Sequence, residues 1–347
     1  MDYSTKNKSD IKYFLEMADA IPVVDVRSPS EFKKGHIPAA INIPLFNDEA
    51  REKVGIRYKK AGRLKAILTG LQLTGPELSD KLEKAVKTAV NGQILAYCWR
   101  GGMRSETMAW LFSLGGIEVT LLERGYKSYR SHVLDKLSHR IPLIILGGYT
   151  GSGKTEILKH IRESGYQSVD LEGLANHKGS AFGALGKPPQ PFSEHFANLL
   201  FDEVRKMSTD KPLWLEDESR NIGNVFIPGE FYANMQSNPA VVLIMDLKTR
   251  LPRLIEEYSS YPEEDLKKGV MKITKRLGSE KAKDAIQAII RKDYSRAIEI
   301  TLGYYDKAYL HSLKKRMASK TIFVHTDTDD VAINATKVLD AASGISW

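Results

Sequence analysis

The sequence predicts an α/β protein of two successive parallel-sheet domains, the second interrupted by a helical subdomain. Three observations carry this. Short apolar runs alternate with helical stretches, first through residues 22–125 and again from 141 onward. That alternation implies parallel strands joined by covering helices. A glycine-rich loop ending in Gly-Lys-Thr follows the first strand of the second series. A long polar helical region, about 250–316, exceeds what a minimal crossover requires.

In the first domain, residues 1–137, the strands are PVVDVR (22–27), AINIP (40–44), ILAYC (94–98) and VTLLERG (119–125). Helices are expected over 48–66, LSDKLEKAVKTAV (78–90) and SETMAWLFSLGG (105–116). The second domain, 138–347, has its strands in IPLIILGG (141–148), YQSVDLE (166–172), PLWLEDE (212–218), AVVLIMDL (240–247) and TIFVHTD (321–327).

A chain of 347 residues with 42% hydrophobic and 27% charged residues has the composition of a soluble globular protein. No apolar run reaches the roughly 18–20 residues of a membrane span, and MDYSTKNKSD lacks a signal-peptide core. A single cysteine excludes an internal disulfide and any multi-cysteine zinc site. The expected compartment is the cytoplasm, with no membrane partner and no metal-ligand set. The net charge of +8 is concentrated in REKVGIRYKKAGRLK (51–65) and between Lys267 and Arg316, including KKGVMKITKR and SLKKRM. These segments favour a polyanionic partner. Arg57, Lys59 and Lys60 in the first, and Lys272, Lys275 and Arg276 in the second, are the expected contacts to RNA.

The lone Cys98 ends a predicted strand and is followed by WRGGMR and a helix. Two glycines let backbone N–H groups turn toward one point, the helix adds its positive N-terminal end, and Arg100 and Arg104 add full charges. All favour thiolate over thiol, so Cys98 is a candidate nucleophile.

VVDVRSPSEFKKGHIPAAINIP (23–44) followed by this loop resembles a rhodanese domain over about residues 10–137. Asp25, Arg27, Glu31 and His36 stand in that family's signature, and Ala39 replaces a frequent glycine. The resemblance implies that Asp25, Arg27 and His36 brace the loop. It also implies that Cys98 carries sulfur as a persulfide, or selenium as its S-selanyl equivalent.

GYTGSGKT (148–155) fits the phosphate-loop pattern in its strand–loop–helix setting. Gly148, Gly151, Ser152 and Gly153 form the wrapping backbone, Lys154 supplies charge, and Thr155 can hold a phosphate oxygen or Mg²⁺. The motif establishes a phosphate ligand, not which one. Asp217 is the best Walker B-like acid. Ser219 and Arg220 follow it at the carboxyl edge of the sheet, where ligands of open α/β folds bind. The segment DLEGLANHKGSAFGALGKPPQP (170–191) reads as a substrate lid or binding loop, with His177 and Lys178 as candidate contacts.

The order rhodanese then phosphate loop, with NDEAREKVGIRYKKAG, VDLEGLANHKGSAFG and LEDESRNIG, closely resembles the bacterial tRNA 2-selenouridine synthases over about residues 10–340. The resemblance implies a transferase that replaces sulfur by selenium in 2-thiouridine at wobble position 34 of tRNAs for Lys, Glu and Gln. It implies an S-geranylated intermediate, with geranyl diphosphate and selenophosphate as co-substrates, no tightly bound cofactor, and a selenophosphate-supplying enzyme as a further partner. The phosphate loop is then expected to hold the prenyl diphosphate, with selenophosphate or a nucleotide as alternatives and Mg²⁺ left open. The competing activity is an ATP-dependent tRNA sulfurtransferase working through a rhodanese persulfide.

Overall fold

The computed structural model describes residues 7–313 and 320–345, so the basic residues Lys314–Arg316 lie outside it. The chain divides into two units, one of residues up to Lys136 together with Ala197–Leu199, the other of the remainder.

The first unit contains β1 (Asn7–Ser9), α1 (Ile11–Met17), β2 (Val23–Asp25), α2 (Pro29–Lys34), β3 (Ile41–Asn42) and α3 (Asp48–Thr74). It continues through α4 (Leu78–Thr88), β4 (Gln93–Tyr97), α5 (Met103–Leu114), β5 (Glu118–Leu122) and α6 (Gly125–Ser138). All strand pairs are parallel, in the order β1-β5-β4-β2-β3, with Val24 in register with both Ala96 and Ile41. β2 and most of β4 are fully buried, as strands covered on both faces must be. Local signals set the helix starts: the Asp10 carboxylate accepts the N–H groups of Lys12 and Tyr13, and the Asn47 side chain that of Ala50. Pro29 opens α2, where the Glu31 carboxylate reaches back to the Ser28 N–H at 3.1 Å.

Two expectations change here, and the signature's departure at Ala39 shows its consequence. β1 was not anticipated, because its three residues carry no apolar pattern; it joins the sheet by pairing with β5. α3 runs to Thr74 rather than 66, with a kink at Gly62, whose φ of 81° departs from helical geometry. Ala39 adopts φ 62°, a left-handed conformation that glycine takes without strain, so its replacement in the signature has a structural cost.

The second unit comprises β6 (Leu143–Gly148), α7 (Lys154–Glu163), β7 (Gln167–Val169), α8 (Leu171–Ala175), α9 (Ser193–Val204), β8 (Leu213–Glu216), β9 (Asn221–Ile222) and β10 (Val225–Phe226). After α10 (Gly229–Ser237) and β11 (Ala240–Met245) come the helices α11 (Leu247–Ser259), α12 (Glu263–Leu277), α13 (Ser279–Ile290) and α14 (Tyr294–Leu313). The unit ends with β12 (Thr321–Thr326) and α15 (Val331–Ala342). The main sheet is again parallel, ordered β12-β11-β6-β8-β7. The central β6, buried at every position, has neighbours reached by crossovers in opposite directions, which opens a crevice at its carboxyl end. The strand expected through Glu172 stops at Val169, because the Asp170 side chain accepts the Gly173 N–H and caps α8.

Helices α11–α14 bury their own apolar cluster, including Leu254, Tyr258, Leu266, Val270 and Ile298. Among the described residues no helix is long and apolar enough to cross a membrane.

Candidate functional site

Cys98 follows the last residue of the central strand β4 and is 3% exposed. Its carbonyl accepts the Tyr126 N–H at 2.8 Å, and Trp99 O accepts that of Lys127 at 3.0 Å, so the start of α6 holds the loop. Gly125, at φ 58°, lies so close that a Cβ there would sit 2.2 Å from the Cys98 carbonyl oxygen. The Ser105 hydroxyl lies 3.3 Å from the sulfur and 3.0 Å from the Gly102 carbonyl. Burial, the largest single influence, raises the thiol; the Ser105 hydroxyl, the Arg100 N–H and the Arg104 charge outweigh it together, so the sulfur titrates below its ordinary value. This is a thiolate-favouring pocket in a half-closed loop.

The bracing around it is explicit. Arg27 is 1% exposed, pairs with Asp25 at 2.6 Å, donates to the Gly35 carbonyl at 2.6 Å and stacks its guanidinium 3.7 Å from the Tyr126 ring centre. A pair this buried is costly to break from one side. His36 stacks on Phe32 and shares a 2.9 Å hydrogen bond with the Phe32 carbonyl; burial holds its pKa below the ordinary value.

The two loop arginines separate. Arg100 is exposed and contributes its backbone N–H to the sulfur. Arg104, expected to add its full charge beside the sulfur, is itself bonded to Glu31 at 2.7 Å, with Arg51 3.7 Å from the same carboxylate. Its first role is therefore to order the loop. Burial alone would raise Glu31, but the hydrogen bond and charge of Arg104 take it below the ordinary carboxylate range. Ser105 was missed in the sequence; a serine in the first turn after the loop was the available signal.

In the second unit, Gly148 closes β6 and Lys154 opens α7. Gly151 and Gly153 have φ of 83° and 77°, and a Cβ on them would strike Leu254 and Arg253 respectively at 2.7 and 2.8 Å. Lys154 Nζ lies 3.1 Å from the Gly148 carbonyl. The Ser152 hydroxyl is buried with no partner among the described residues, an orphaned donor inside the loop that suits a phosphate oxygen. Thr155 Oγ1 is 3.4 Å from Glu172, and Tyr309 receives the Gly148 N–H at 2.8 Å while donating to Asp217 at 3.2 Å.

Apart from the buried Ser152, these groups border a cavity of about 650 Å³. Its lining combines Gly148, Gly151, Gly153, Lys154, Thr155 and Asp217 with the apolar side chains of Phe182, Leu254 and Tyr258. Glu172 and Glu218 also border it, and burial pushes both toward the protonated form, Glu218 further because Glu172 repels its charge. Behind them Glu216 is buried and raised by burial and by Asp170 and Glu172; it accepts the Leu171 N–H at 2.9 Å.

Lys178 and Ser219 border the cavity, Lys178 paired with Glu257. His177 and Arg220 do not. His177 is 8% exposed, and a Cβ on Gly183 or Gly223 would crowd its ring, so it pins the 170–191 segment from inside. Burial and then the Lys272 charge lower its pKa, which keeps it neutral. Arg220 is exposed and uses its carbonyl to receive the Ile227 N–H.

Arg57, Lys59 and Lys60 project from α3, and Lys272, Lys275 and Arg276 from α12, all exposed. Lys267 and Lys268 of the same basic segment are paired within α12, to Glu263 and Glu264 and to Asp265 respectively. The apolar cavity wall was missed in the sequence. Leu254 and Tyr258 on α11, and Tyr305, Tyr309 and Leu313 on α14, repeat at helical spacing and were its only local signal.

A family model for the tRNA 2-selenouridine synthase AAA domain matches residues 141–340, and a rhodanese-like domain matches residues 10–132. A tRNA 2-selenouridine synthase of Shewanella halifaxensis is 36% identical over 340 residues, covering 87% of this chain and 91% of that protein. Those of Pseudomonas syringae pv. syringae and a Sulfurovum species are 34% and 33% identical, covering 90% and 87% of this chain and 93% and 91% of theirs.

Proposed function

The chain belongs to the tRNA 2-selenouridine synthase family of tRNA-modifying transferases, and from that premise we propose that it works through a prenylated intermediate made at the phosphate loop. The substrate is tRNA. Its finer identity, 2-thiouridine at position 34 of the Lys, Glu and Gln tRNAs, belongs to the proposal, as does delivery of selenophosphate by a separate enzyme.

The chemistry requires activation. A thiocarbonyl sulfur leaves poorly, since its departure expels sulfide. In the first step the thione sulfur attacks C1 of geranyl diphosphate, and the C–O electron pair leaves with diphosphate. In the second, selenium enters at C2 and geranylthiol departs as a neutral thiol after protonation. Loop N–H groups and Lys154 would stabilise the charge that grows on diphosphate as the allylic bond breaks. The Cys98 thiolate would attack the phosphorus of selenophosphate, breaking the P–Se bond and releasing hydrogen selenide, the nucleophile that enters at C2; water then hydrolyses the S-phosphocysteine, and Arg100 would assist the anionic donor.

One observation carries the choice of donor: the phosphate loop and the apolar side chains of Phe182, Leu254 and Tyr258 line the same cavity. A diphosphate joined to a hydrocarbon chain suits a lining of both kinds. If Mg²⁺ takes part, Thr155 and Asp217 are among the cavity oxygens available to it.

The deciding experiment incubates the protein with 2-thiouridine tRNA and geranyl diphosphate, without nucleotide, and identifies wobble nucleosides by mass spectrometry. S-geranyl-2-thiouridine is expected, converting to 2-selenouridine on addition of selenophosphate. Product formation only with ATP would replace this reading by the ATP-dependent sulfurtransferase.

A further inference from the structure

Two residues of the cavity lining also border a second space. A small void of about 10 Å³ inside the helical subdomain is lined by Leu266, Val270, Ile289 and Ile298, together with Phe182 and Tyr258. Phe182 and Tyr258 therefore border both spaces. Their rings lie 5.1 Å apart between centroids, tilted by 38°, and both residues are buried. Phe182 comes from the 170–191 segment, which is tied down where the Ala181 N–H donates to the Tyr305 hydroxyl at 2.8 Å. On its other side the ring lies against Gly269 of α12, where a Cβ would come within 2.4 Å of two ring carbons. Gly269 provides the room in which the ring lies back.

We propose that Phe182, seated on Gly269 and packed against Tyr258, is the end wall that sets the length of prenyl chain the cavity accepts. The inference rests on the prenyl diphosphate reading of the cavity. A chain that reaches the wall can lengthen by one isoprene unit only if an aromatic ring is displaced, because packed interiors offer little slack. A phenyl ring is close in bulk to one such unit. The space behind it is lined mainly by apolar side chains, and the hydroxyl of Thr301 there is already bonded to the Ala297 carbonyl at 3.0 Å, so a longer chain would meet no stranded polar group at that position.

The test measures kcat/KM for geranyl and farnesyl diphosphate with 2-thiouridine tRNA, in the full-length protein and its variants. The ratio of the two cancels any loss of folded protein. Phe182→Ala is expected to raise the farnesyl-to-geranyl ratio by at least about tenfold, the scale of discrimination that small changes of hydrophobic pocket volume produce. Phe182→Leu should raise it less. Gly269→Ala, which pushes the ring into the cavity, should lower it, and this variant decides the matter if Phe182→Ala does not fold. An unchanged ratio in folded Phe182→Leu and Gly269→Ala overturns the inference while leaving the donor reading in place. Wild-type protein that transfers neither chain overturns the donor reading, and the inference with it.

Discussion

The Ser105 hydroxyl stands 3.3 Å from the Cys98 sulfur, at the start of the helix that follows the cysteine loop. It is the leading influence that offsets the burial of that sulfur, ahead of the Arg100 N–H and the Arg104 charge. Ser105→Ala should therefore shift the pH profile of Cys98 alkylation to higher pH. At pH values below the midpoint the rate should fall roughly tenfold, the worth of one hydrogen bond to a charged group. A pH–rate profile with iodoacetamide reads this, and an unmoved midpoint would assign thiolate stabilisation to the backbone N–H groups and the Arg104 charge.

Cys98→Ala should abolish 2-selenouridine formation and leave S-geranylation within about a factor of two, since prenyl transfer as proposed does not consume selenophosphate. Lys154→Ala should do the reverse at the first step, raising KM for geranyl diphosphate and lowering kcat, about 100-fold in kcat/KM. Nucleoside analysis after incubation with each donor separates the two. Loss of both products in a folded Cys98→Ala protein would refute the division of labour.

The loops that carry these residues were legible because each combines a buried strand, a local glycine pattern and a helix start within a few positions. ILAYC ending at Cys98 and PLIILGG ending at Gly148 are such cases, and both strands form at the centre of a sheet. What was not legible depends on residues far apart. Phe182 meets Tyr258 across 76 positions (258 − 182), and neither carries a mark distinguishing a cavity wall from an ordinary core. Arg104 looked like a free cation because Glu31, its partner, lies 73 positions away on another element. The polar three-residue β1 is a strand only because β5 offers it an edge.

Ala39 gives a stability prediction from backbone geometry alone. Its φ of 62° costs an L-residue about 1 kcal/mol, while glycine adopts the same angle freely but loses more chain entropy on folding. Ala39→Gly should raise the stability of the first unit by about 0.5–1 kcal/mol. Chemical denaturation followed by a probe in that unit, such as Trp110 fluorescence, would show the midpoint rising with an unchanged slope.

Glu216 ties the stability of the second unit to pH. Burial and the neighbouring Asp170, Glu172 and Glu218 raise its pKa well above 4.5, so between the unfolded and folded values the native state binds more protons than the unfolded chain. Stability must then fall as pH rises above about 4.5 through the folded pKa. Glu216→Gln keeps the oxygen that accepts the Leu171 N–H and removes the ionisation. It should stabilise the unit at pH 8 and change little near pH 4, flattening the slope between. Equal effects at both pH values would mean that the carboxyl is not held neutral in the native state.

The two halves of the basic segment on α12 make opposite predictions about RNA. Lys267 and Lys268 spend their charge on Glu263, Glu264 and Asp265 one turn back, whereas Lys272, Lys275 and Arg276 are exposed beyond that acidic first turn. A lysine already neutralised by a neighbouring carboxylate releases no counterion when it meets a phosphate, so only the second group should contribute to the salt dependence of tRNA binding. Reversing Lys272, Lys275 and Arg276 to Glu should weaken binding and reduce the slope of log K against log salt by about two units, from roughly 0.7–0.9 per lost phosphate contact. Reversing Lys267 and Lys268 should leave the slope nearly unchanged and cost helix stability instead, through like charges at i, i+3 and i, i+4. Binding titrations at four or five salt concentrations distinguish the two variants. Equal loss of slope in both would place the RNA along the whole helix and show that the intrahelical pairs open when it binds.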